Sequence, residues 1–214
     1  MQSAEMSALK LLRSGFIYLF VAMIMLIEFP EFVRIAIYVS YYYGMMYMII
    51  FLTLILLAIV VIFLYAIFEK IRYGMRQLSE IDSRFRICYT GTTLILVGLV
   101  VLVLGVVVFV ALSAEYTVSR SLVLAVLYVG GIIAFIGYIL TLVVGAFKLH
   151  GKYRNPLYVA AGIFFVLSIF LTFTGLLGLD AVFTTRVGLG GTAVGYVLMY
   201  IALGGTIKKL NTQS

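Results

Sequence analysis

The sequence predicts an all-α integral membrane protein with six transmembrane helices in three hairpins and both termini in the cytoplasm. Of its 214 residues, 65% are hydrophobic and 11% are charged, whereas a soluble domain is about half apolar and about a quarter charged. Apolar stretches of about 20 residues, the length that an α-helix needs to cross a bilayer, recur along the chain. Lys and Arg are concentrated in alternate connecting segments. This composition argues against a disordered chain and a disulfide-stapled secreted domain.

Six apolar stretches are predicted to span the membrane, and together they make residues 1–214 a single transmembrane domain. The first contains Arg13 near its start, where a long side chain can reach the interface. The third carries no charged residue over 94–112. The predicted spans cover residues 11–29, 44–68, 91–112, 121–147, 156–179 and 187–207.

The segment 30–43 is amphipathic and is predicted to be helical. Pro30 suits the first turn of a helix, and Glu31 suits the positive end of the helix dipole. Two placements are open: a helix lying in the outer interface, or an extension of the second span. Gly44 is a plausible break between the two segments.

The segment 69–88 is predicted to be a helical cytoplasmic loop. Ile71, Met75 and Leu78 lie at helical spacing, and Arg76 and Glu80 form an i,i+4 pair. The pattern favours a helical extension of the second span near the lipid headgroups. A helix that binds a partner is the alternative.

The positive residues set the predicted orientation in the cell membrane, because cytoplasmic loops carry an excess of Lys and Arg. Three lie on the predicted outer side, namely Arg34, Arg120 and Arg186. The other twelve lie on the predicted cytoplasmic side: Lys10, Arg13, Lys70, Arg72, Arg76, Arg84, Arg86, Lys148, Lys152, Arg154, Lys208 and Lys209.

Each predicted outer loop contains one Arg preceded by a carboxylate. One interpretation is an external charge cluster that gates a path, and the other is a set of weak ion pairs and helix caps at the interface. The six residues of this candidate cluster are Glu31, Arg34, Glu115, Arg120, Asp180 and Arg186.

The third to sixth spans carry stripes of small residues and no ionisable group at mid-depth. Pumps and ion-coupled carriers usually need such a group. Small residues let helix backbones approach closely in lipid, so these four spans are predicted to form a tight bundle. The second span is almost entirely bulky and is predicted to lie outside it. The candidate packing residues are Gly98, Gly105, Gly130, Ala134, Gly137, Thr141, Gly145, Gly191 and Gly195.

The chain has few groups that could perform chemistry. It contains one His (His150), one Cys (Cys88) and no Trp. Haem, zinc and iron–sulfur sites need several such ligands, and no nucleophile–base pair stands out. We therefore expect no catalytic residue, no metal site, no cofactor and no nucleic-acid partner.

The chain resembles a group of membrane proteins in its overall character. The start Ser7-Ala8-Leu9-Lys10-Leu11-Leu12-Arg13-Ser14-Gly15-Phe16 and spans such as Gly98-Leu99-Val100-Val101 are similar to those of uncharacterised multi-span membrane proteins of thermophilic archaea. The resemblance extends along the whole chain and has no diagnostic motif. It implies an archaeal plasma membrane and transfers no active site.

Two functions remain open at the level of sequence. The first is a non-catalytic structural or accessory subunit of a larger membrane assembly, whose partners are lipids and other membrane subunits or a second copy of the chain. The alternative is a transporter of a small solute or a lipid that works without buried charge. Abundant Gly and mid-depth hydroxyl groups favour this alternative.

Overall fold

The computed structural model describes residues 2–113, 120–176 and 181–212, and these residues form helices without any β-strand. The all-α prediction is therefore confirmed. A short 3₁₀ turn, Ser83–Phe85, separates the third and fourth helices. The helices are α1 (Gln2–Ile27), α2 (Phe29–Tyr43), α3 (Met45–Ile81), α4 (Arg86–Ser113), α5 (Arg120–Tyr138, then Ile139–Val143 and Val144–Tyr153), α6 (Pro156–Leu176) and α7 (Ala181–Asn211).

Five helices of the described residues contain an apolar stretch long enough to cross a membrane. The described apolar stretch of α6, Pro156–Thr172, is shorter. Where the sequence predicted six spans, five therefore meet the length and composition of a span. The five are Ser3–Ile27, Met45–Ile81, Ser83–Val107, Leu124–Tyr153 and Thr184–Asn211.

The helices are longer than the apolar stretches from which the spans were predicted. α1 begins at Gln2, and α3 continues through most of the predicted loop 69–88 as far as Ile81. Backbone hydrogen bonding does not require apolar side chains, so a helix can extend into polar residues at either end. Both prolines of the chain lie in the first turn of a helix, Pro30 in α2 and Pro156 in α6, where the missing N–H costs nothing.

The segment 30–43 forms part of a separate helix, α2. Gly44 separates α2 from α3 with a φ of +93°, a conformation that glycine adopts without the strain of a Cβ. Its N–H still donates to the carbonyl of Ser40. The predicted break at Gly44 is thus present, and α2 is not a continuous extension of α3.

Two helices contain π-helical turns. One is Ala66–Arg72 within α3, and the other is Ile139–Val143 within α5. Such turns insert an extra residue into the helical repeat and are frequent at functional sites. The turn in α5 begins directly after Tyr138.

Antiparallel pairs build the fold: α4 with α5, α6 with α7, and α1 with both α7 and α3. The first half of α1 contacts late parts of α3 and α7, with Leu12 against Gly74 and Arg13 against Gly204, so α1 begins and α7 ends at the same end of the molecule. Tyr153 donates a hydrogen bond to Glu5 at 2.7 Å, and Asn155 donates one to the carbonyl of Ala202 at 3.3 Å. We call this end, where α1 begins and α7 ends, the basic end.

The third to sixth spans were predicted to form one tight bundle, but in the structure they form two tight pairs, α4 with α5 and α6 with α7. The α4–α5 pair and the α6–α7 pair meet mainly near the basic end, where Phe147 faces Gly162. Towards the opposite end a cavity separates them. Most of the small residues are used within each pair, as Gly98 against Ala134 and Gly188 against Thr172. Between the pairs, Gly162 gives space to the ring of Phe147.

Candidate functional site

Four aromatic side chains meet near the midpoints of four helices. Tyr196 of α7 lies between Phe16 of α1, with ring centroids 6.1 Å apart, and Phe165 of α6, 5.5 Å apart. Tyr138 of α5 completes the group at 6.5 Å from Phe165. Tilted and edge-on ring contacts of this kind contribute beyond simple burial. We call Phe16, Tyr138, Phe165 and Tyr196 the aromatic cluster.

A cavity of about 520 Å³ extends from the aromatic cluster towards the end of the molecule opposite the basic end. On α5 it runs from Leu127 to Tyr138, which is about three helical turns. Among the described residues no charged side chain lines it, and Gly131 leaves part of its wall open. We call this the main cavity. Its lining residues are Met23, Leu127, Tyr128, Gly131, Ile132, Phe135, Tyr138, Ser168, Ile169, Thr172, Leu189 and Thr192.

Three aliphatic hydroxyl groups interrupt the apolar wall of the main cavity. Ser168 donates to the carbonyl of Phe164 at 2.6 Å, and Thr172 donates to that of Ser168 at 2.8 Å. Thr192 donates to the carbonyl of Gly188 at 3.2 Å. Each proton is thus used within its own helix, whereas the oxygen lone pairs can accept a further hydrogen bond.

A smaller cavity of about 250 Å³ lies on the other side of Phe135 and Tyr138. Its walls include Phe63 and Ile67 of α3 and Ile95 of α4. Because Phe135 and Tyr138 line both cavities, these two side chains form the partition between them. The π-helical turn of α5 follows this partition directly.

Comparison with family models assigns the chain. A model described as a protein of unknown function (DUF973) matches residues 5–214. The chain belongs to this family. Neither the curated proteins nor the solved structures give a match, so the DUF973 assignment brings no activity or ligand with it.

The predicted packing residues of this DUF973 protein lie mostly within the α4–α5 pair. Gly98 lies against the backbone of Ala134, and Gly137 lies against Ile95. Gly130 lies against Leu102. These contacts let the two backbones approach closely, as small residues do between helices in lipid.

The remaining packing residues contact several different partners. Gly105 faces Leu127, Thr141 donates to the carbonyl of Cys88 at 3.4 Å, and Gly145 faces Met75 and Cys88. Within the α6–α7 pair, Gly191 lies against Ser168 and Gly195 against Phe165. Gly195 therefore gives space to a ring of the aromatic cluster, a role that its place in a stripe did not reveal.

The structure does not bring the predicted outer charges together among the described residues. Glu31 and Arg34 form an exposed ion pair of 2.9 Å within α2, and Arg186 is exposed on α7. Glu115, Asp180 and the side chain of Arg120 lie outside what the structure describes. The visible pair is of the weak, solvent-screened kind.

The single histidine and the single cysteine of the chain have the surroundings of residues that stabilise the fold. The Nδ1 atom of His150 lies 3.0 Å from the carbonyl oxygen of Asn155, and Cys88 is buried. Within residues 2–113, 120–176 and 181–212, no group of three or more His, Cys, Asp or Glu side chains could hold a metal ion.

Sequence reasoning did not find the main cavity. Gly131 looks like its neighbour Gly130, yet a Cβ on Gly131 would meet nothing within 4 Å, whereas one on Gly130 would lie 3.0 Å from Leu102. Adjacent helical positions point about 100° apart, so one packs and the other faces space. The sequence did contain an indication of the cavity, because hydroxyl-bearing residues near the middle of the spans line it, including Tyr138, Ser168, Thr172 and Thr192.

Proposed function

We propose that this DUF973 protein is a non-catalytic protein of the cell membrane that binds, and carries, a lipid-like molecule in its main cavity. In this proposal six helices span the membrane and the basic end lies in the cytoplasm. The excess of Lys and Arg at that end supports the orientation. The resemblance in character to membrane proteins of thermophilic archaea supports the location.

The main cavity is the observation that carries this proposal. Its volume of about 520 Å³ lies within the roughly 300–1,000 Å³ typical of small-molecule sites. It is elongated along α5 and apolar, which suits a hydrocarbon chain. A charged headgroup would find no counter-ion among the described lining residues and would incur a large desolvation cost.

The hydroxyl groups indicate which polar group the ligand carries. Ser168 and Thr172 each donate to their own helix and so offer acceptor oxygens to a ligand. Thr192 also donates to its own helix, and its hydroxyl is further hydrogen-bonded with Tyr138. A neutral donor, such as a hydroxyl or amide group, matches them better than a carboxylate. The proposed ligand is therefore a long-chain lipid with a neutral hydrogen-bond donor.

The accessory subunit that the sequence favoured remains the second candidate. The half of α3 furthest from the basic end exposes large apolar side chains, such as Met46 at 73% and Leu54 at 60%. Membrane lipid or another subunit would cover this face equally well. It therefore supports the subunit proposal less specifically than the cavity supports lipid binding.

Native mass spectrometry of the full chain purified in mild detergent tests the proposal. We expect about one lipid retained per chain in the wild type. Gly131→Leu should reduce that retention about tenfold, because the new side chain fills the main cavity. Gly190→Leu is the matched control, since its Cβ also meets nothing within 4 Å and Gly190 does not line the cavity.

Two outcomes would contradict lipid binding in the main cavity. One is retention of lipid by Gly131→Leu at the level of the Gly190→Leu control. The other is a wild-type protein that purifies without lipid and with a stoichiometric partner chain, which would favour the accessory subunit.

A further inference from the structure

A third cavity, slightly larger than the main cavity at about 560 Å³, lies at the basic end between the α5–α6 turn and the last turns of α7. Three cationic side chains line it: Lys152 from the last turn of α5, Arg154 from the α5–α6 turn and Lys209 from α7. No acidic side chain of the described residues lines it. We call it the basic cleft. It is separate from the main cavity, because α6 runs about 18 Å from Pro156 to Ser168.

Lys152 is held in place from outside the cleft. Its Nζ atom lies 2.8 Å from the Glu5 carboxylate, which does not line the cavity. Glu5 therefore offsets one of the three positive charges, and Arg154 and Lys209 leave the cleft with an excess of positive charge. Neither Arg154 nor Lys209 forms an ion pair with a carboxylate among the described residues.

The backbone at Arg154 is unusual. Arg154 has a φ of +52°, and no other non-glycine residue of the described ranges has a positive φ. This position, the cap after a helix, is one that glycine or asparagine fills at lower cost. Strained conformations of this kind cluster at ligand-binding sites, and Arg154 is one of the residues that line the cleft.

Neutral polar groups form the inner wall of the basic cleft. Thr206 lines the cleft, and its hydroxyl is hydrogen-bonded at 2.9 Å to that of Tyr158, which is buried behind it. The Asn155 amide uses only one of its two N–H groups on the carbonyl of Ala202. Gly205 keeps the cleft open, since a Cβ there would meet only the Asn155 amide nitrogen, at 3.8 Å.

We propose that the basic cleft binds a phosphate group, supplied by an anionic lipid headgroup or by a soluble phosphate ester. A guanidinium and an ammonium group form strong charge-assisted hydrogen bonds with phosphate oxygens. Orientation of the chain requires only that cations lie on this side, not that three of them line one cavity. The helix dipoles do not attract an anion here, because the negative carboxyl ends of α5 and α7 outnumber the positive amino end of α6. The cationic side chains therefore supply the attraction.

Two pairs of variants of the full chain distinguish a specific phosphate site in the basic cleft from nonspecific attraction to a basic surface. Arg154→Gln with Lys209→Gln removes two cations that line the cleft, and Arg84→Gln with Lys208→Gln removes two from the same end that do not. Gly205→Asp places a negative charge in the cleft, and Gly151→Asp places one at an open position outside it.

The probes are phosphatidic acid in phosphatidylcholine nanodiscs, read by native mass spectrometry, and inorganic phosphate, read by ³¹P NMR line broadening. We expect saturable binding of one phosphate group per chain, weakened about tenfold or more by Arg154→Gln/Lys209→Gln and by Gly205→Asp. The controls should bind as the wild type does. If only phosphatidic acid binds saturably, the phosphate group comes from a lipid. If inorganic phosphate also binds saturably, a soluble phosphate ester can supply it.

Equal weakening by the cleft variants and their controls would overturn the proposal, as would binding that does not saturate. Circular dichroism and monodisperse elution of each variant ensure that a loss of binding is not a loss of fold. Because Gly131→Leu leaves the basic cleft untouched, failure of lipid binding in the main cavity and failure of phosphate binding here give different results.

Discussion

The backbone nitrogen of Ile95 lies only 2.5 Å from the point that a Cβ on Gly137 would occupy. The backbones of α4 and α5 thus touch at Gly137, with no side chain between them. In lipid, such close approach replaces the hydrophobic effect as the source of helix association.

Gly137→Ala should therefore destabilise the protein, by about 1–3 kcal/mol, because the methyl group meets backbone that cannot rotate away. Gly137→Leu should disrupt the α4–α5 pair. Gly131→Ala is the control and should be neutral or stabilising by up to about 1 kcal/mol, since alanine favours helix and its Cβ has room. Unfolding by a denaturing detergent, followed by circular dichroism, measures both. Equal stability of the two alanine variants would show that the contact is not tight.

The stripes of small residues predicted the α4–α5 contact well, because close backbone approach needs a particular residue type at a particular spacing. Gly98 and Gly137 carry that information themselves. The position of α1 could not be predicted in this way. It packs on α7 through Arg13, Phe16 and their partners, side chains whose size and polarity do not single out one neighbour.

The candidate site was less accessible to sequence reasoning than the fold. A cavity results from what large side chains fail to fill, and no periodicity marks it. Tyr138 and Thr172 were visible as mid-depth hydroxyls, but hydroxyls that bond to their own helix need no ligand. Only their convergence with Gly131 around one space distinguishes them.

Arg13 of α1 and Tyr200 of α7 form a pair that joins the first and last helices. The guanidinium donates to the Tyr200 hydroxyl at 3.0 Å and lies 4.4 Å from the ring centroid. We expect Arg13→Lys to cost about 1 kcal/mol, because lysine lacks the planar group that stacks and donates together. A double-mutant cycle with Tyr200→Phe should give a coupling energy of about 0.5–1 kcal/mol. Additive effects would mean that the pair does not couple the two helices.

The Glu5 carboxylate should make stability depend on pH at the acidic end. Partial burial alone would raise the pKa of Glu5, but hydrogen bonds from Lys152 and Tyr153 lower it by more, so its pKa lies below the ordinary value of 4.5. Glu5 lies in the first turn of α1, at the basic end, and precedes the predicted span 11–29. Its contribution is therefore complete above about pH 4.5 and is lost as the pH falls through the lowered pKa.

The expected loss for Glu5 is modest, less than about 1 kcal/mol, because the pair is partly exposed to solvent. Unfolding midpoints of the wild type and Glu5→Gln between pH 3 and pH 7, roughly the range over which carboxylates titrate, measure it. The two curves should converge at low pH and separate above it. A constant difference over the whole range would exclude Glu5 as the titrating group.

The proposed orientation predicts that Lys148 and Arg186 lie in different compartments. Both side chains are exposed, and the only cysteine, Cys88, is buried and replaceable by alanine. On that background, Arg186→Cys in intact cells should react with a membrane-impermeant maleimide, whereas Lys148→Cys should react only after permeabilisation. Arg34→Cys should follow Arg186→Cys, and Lys208→Cys should follow Lys148→Cys, because twelve of the fifteen cations lie on the predicted cytoplasmic side. Labelling of Lys148→Cys and Arg186→Cys from the same side would refute the six-span topology and, with it, the placement of the basic cleft at the cytoplasmic headgroups.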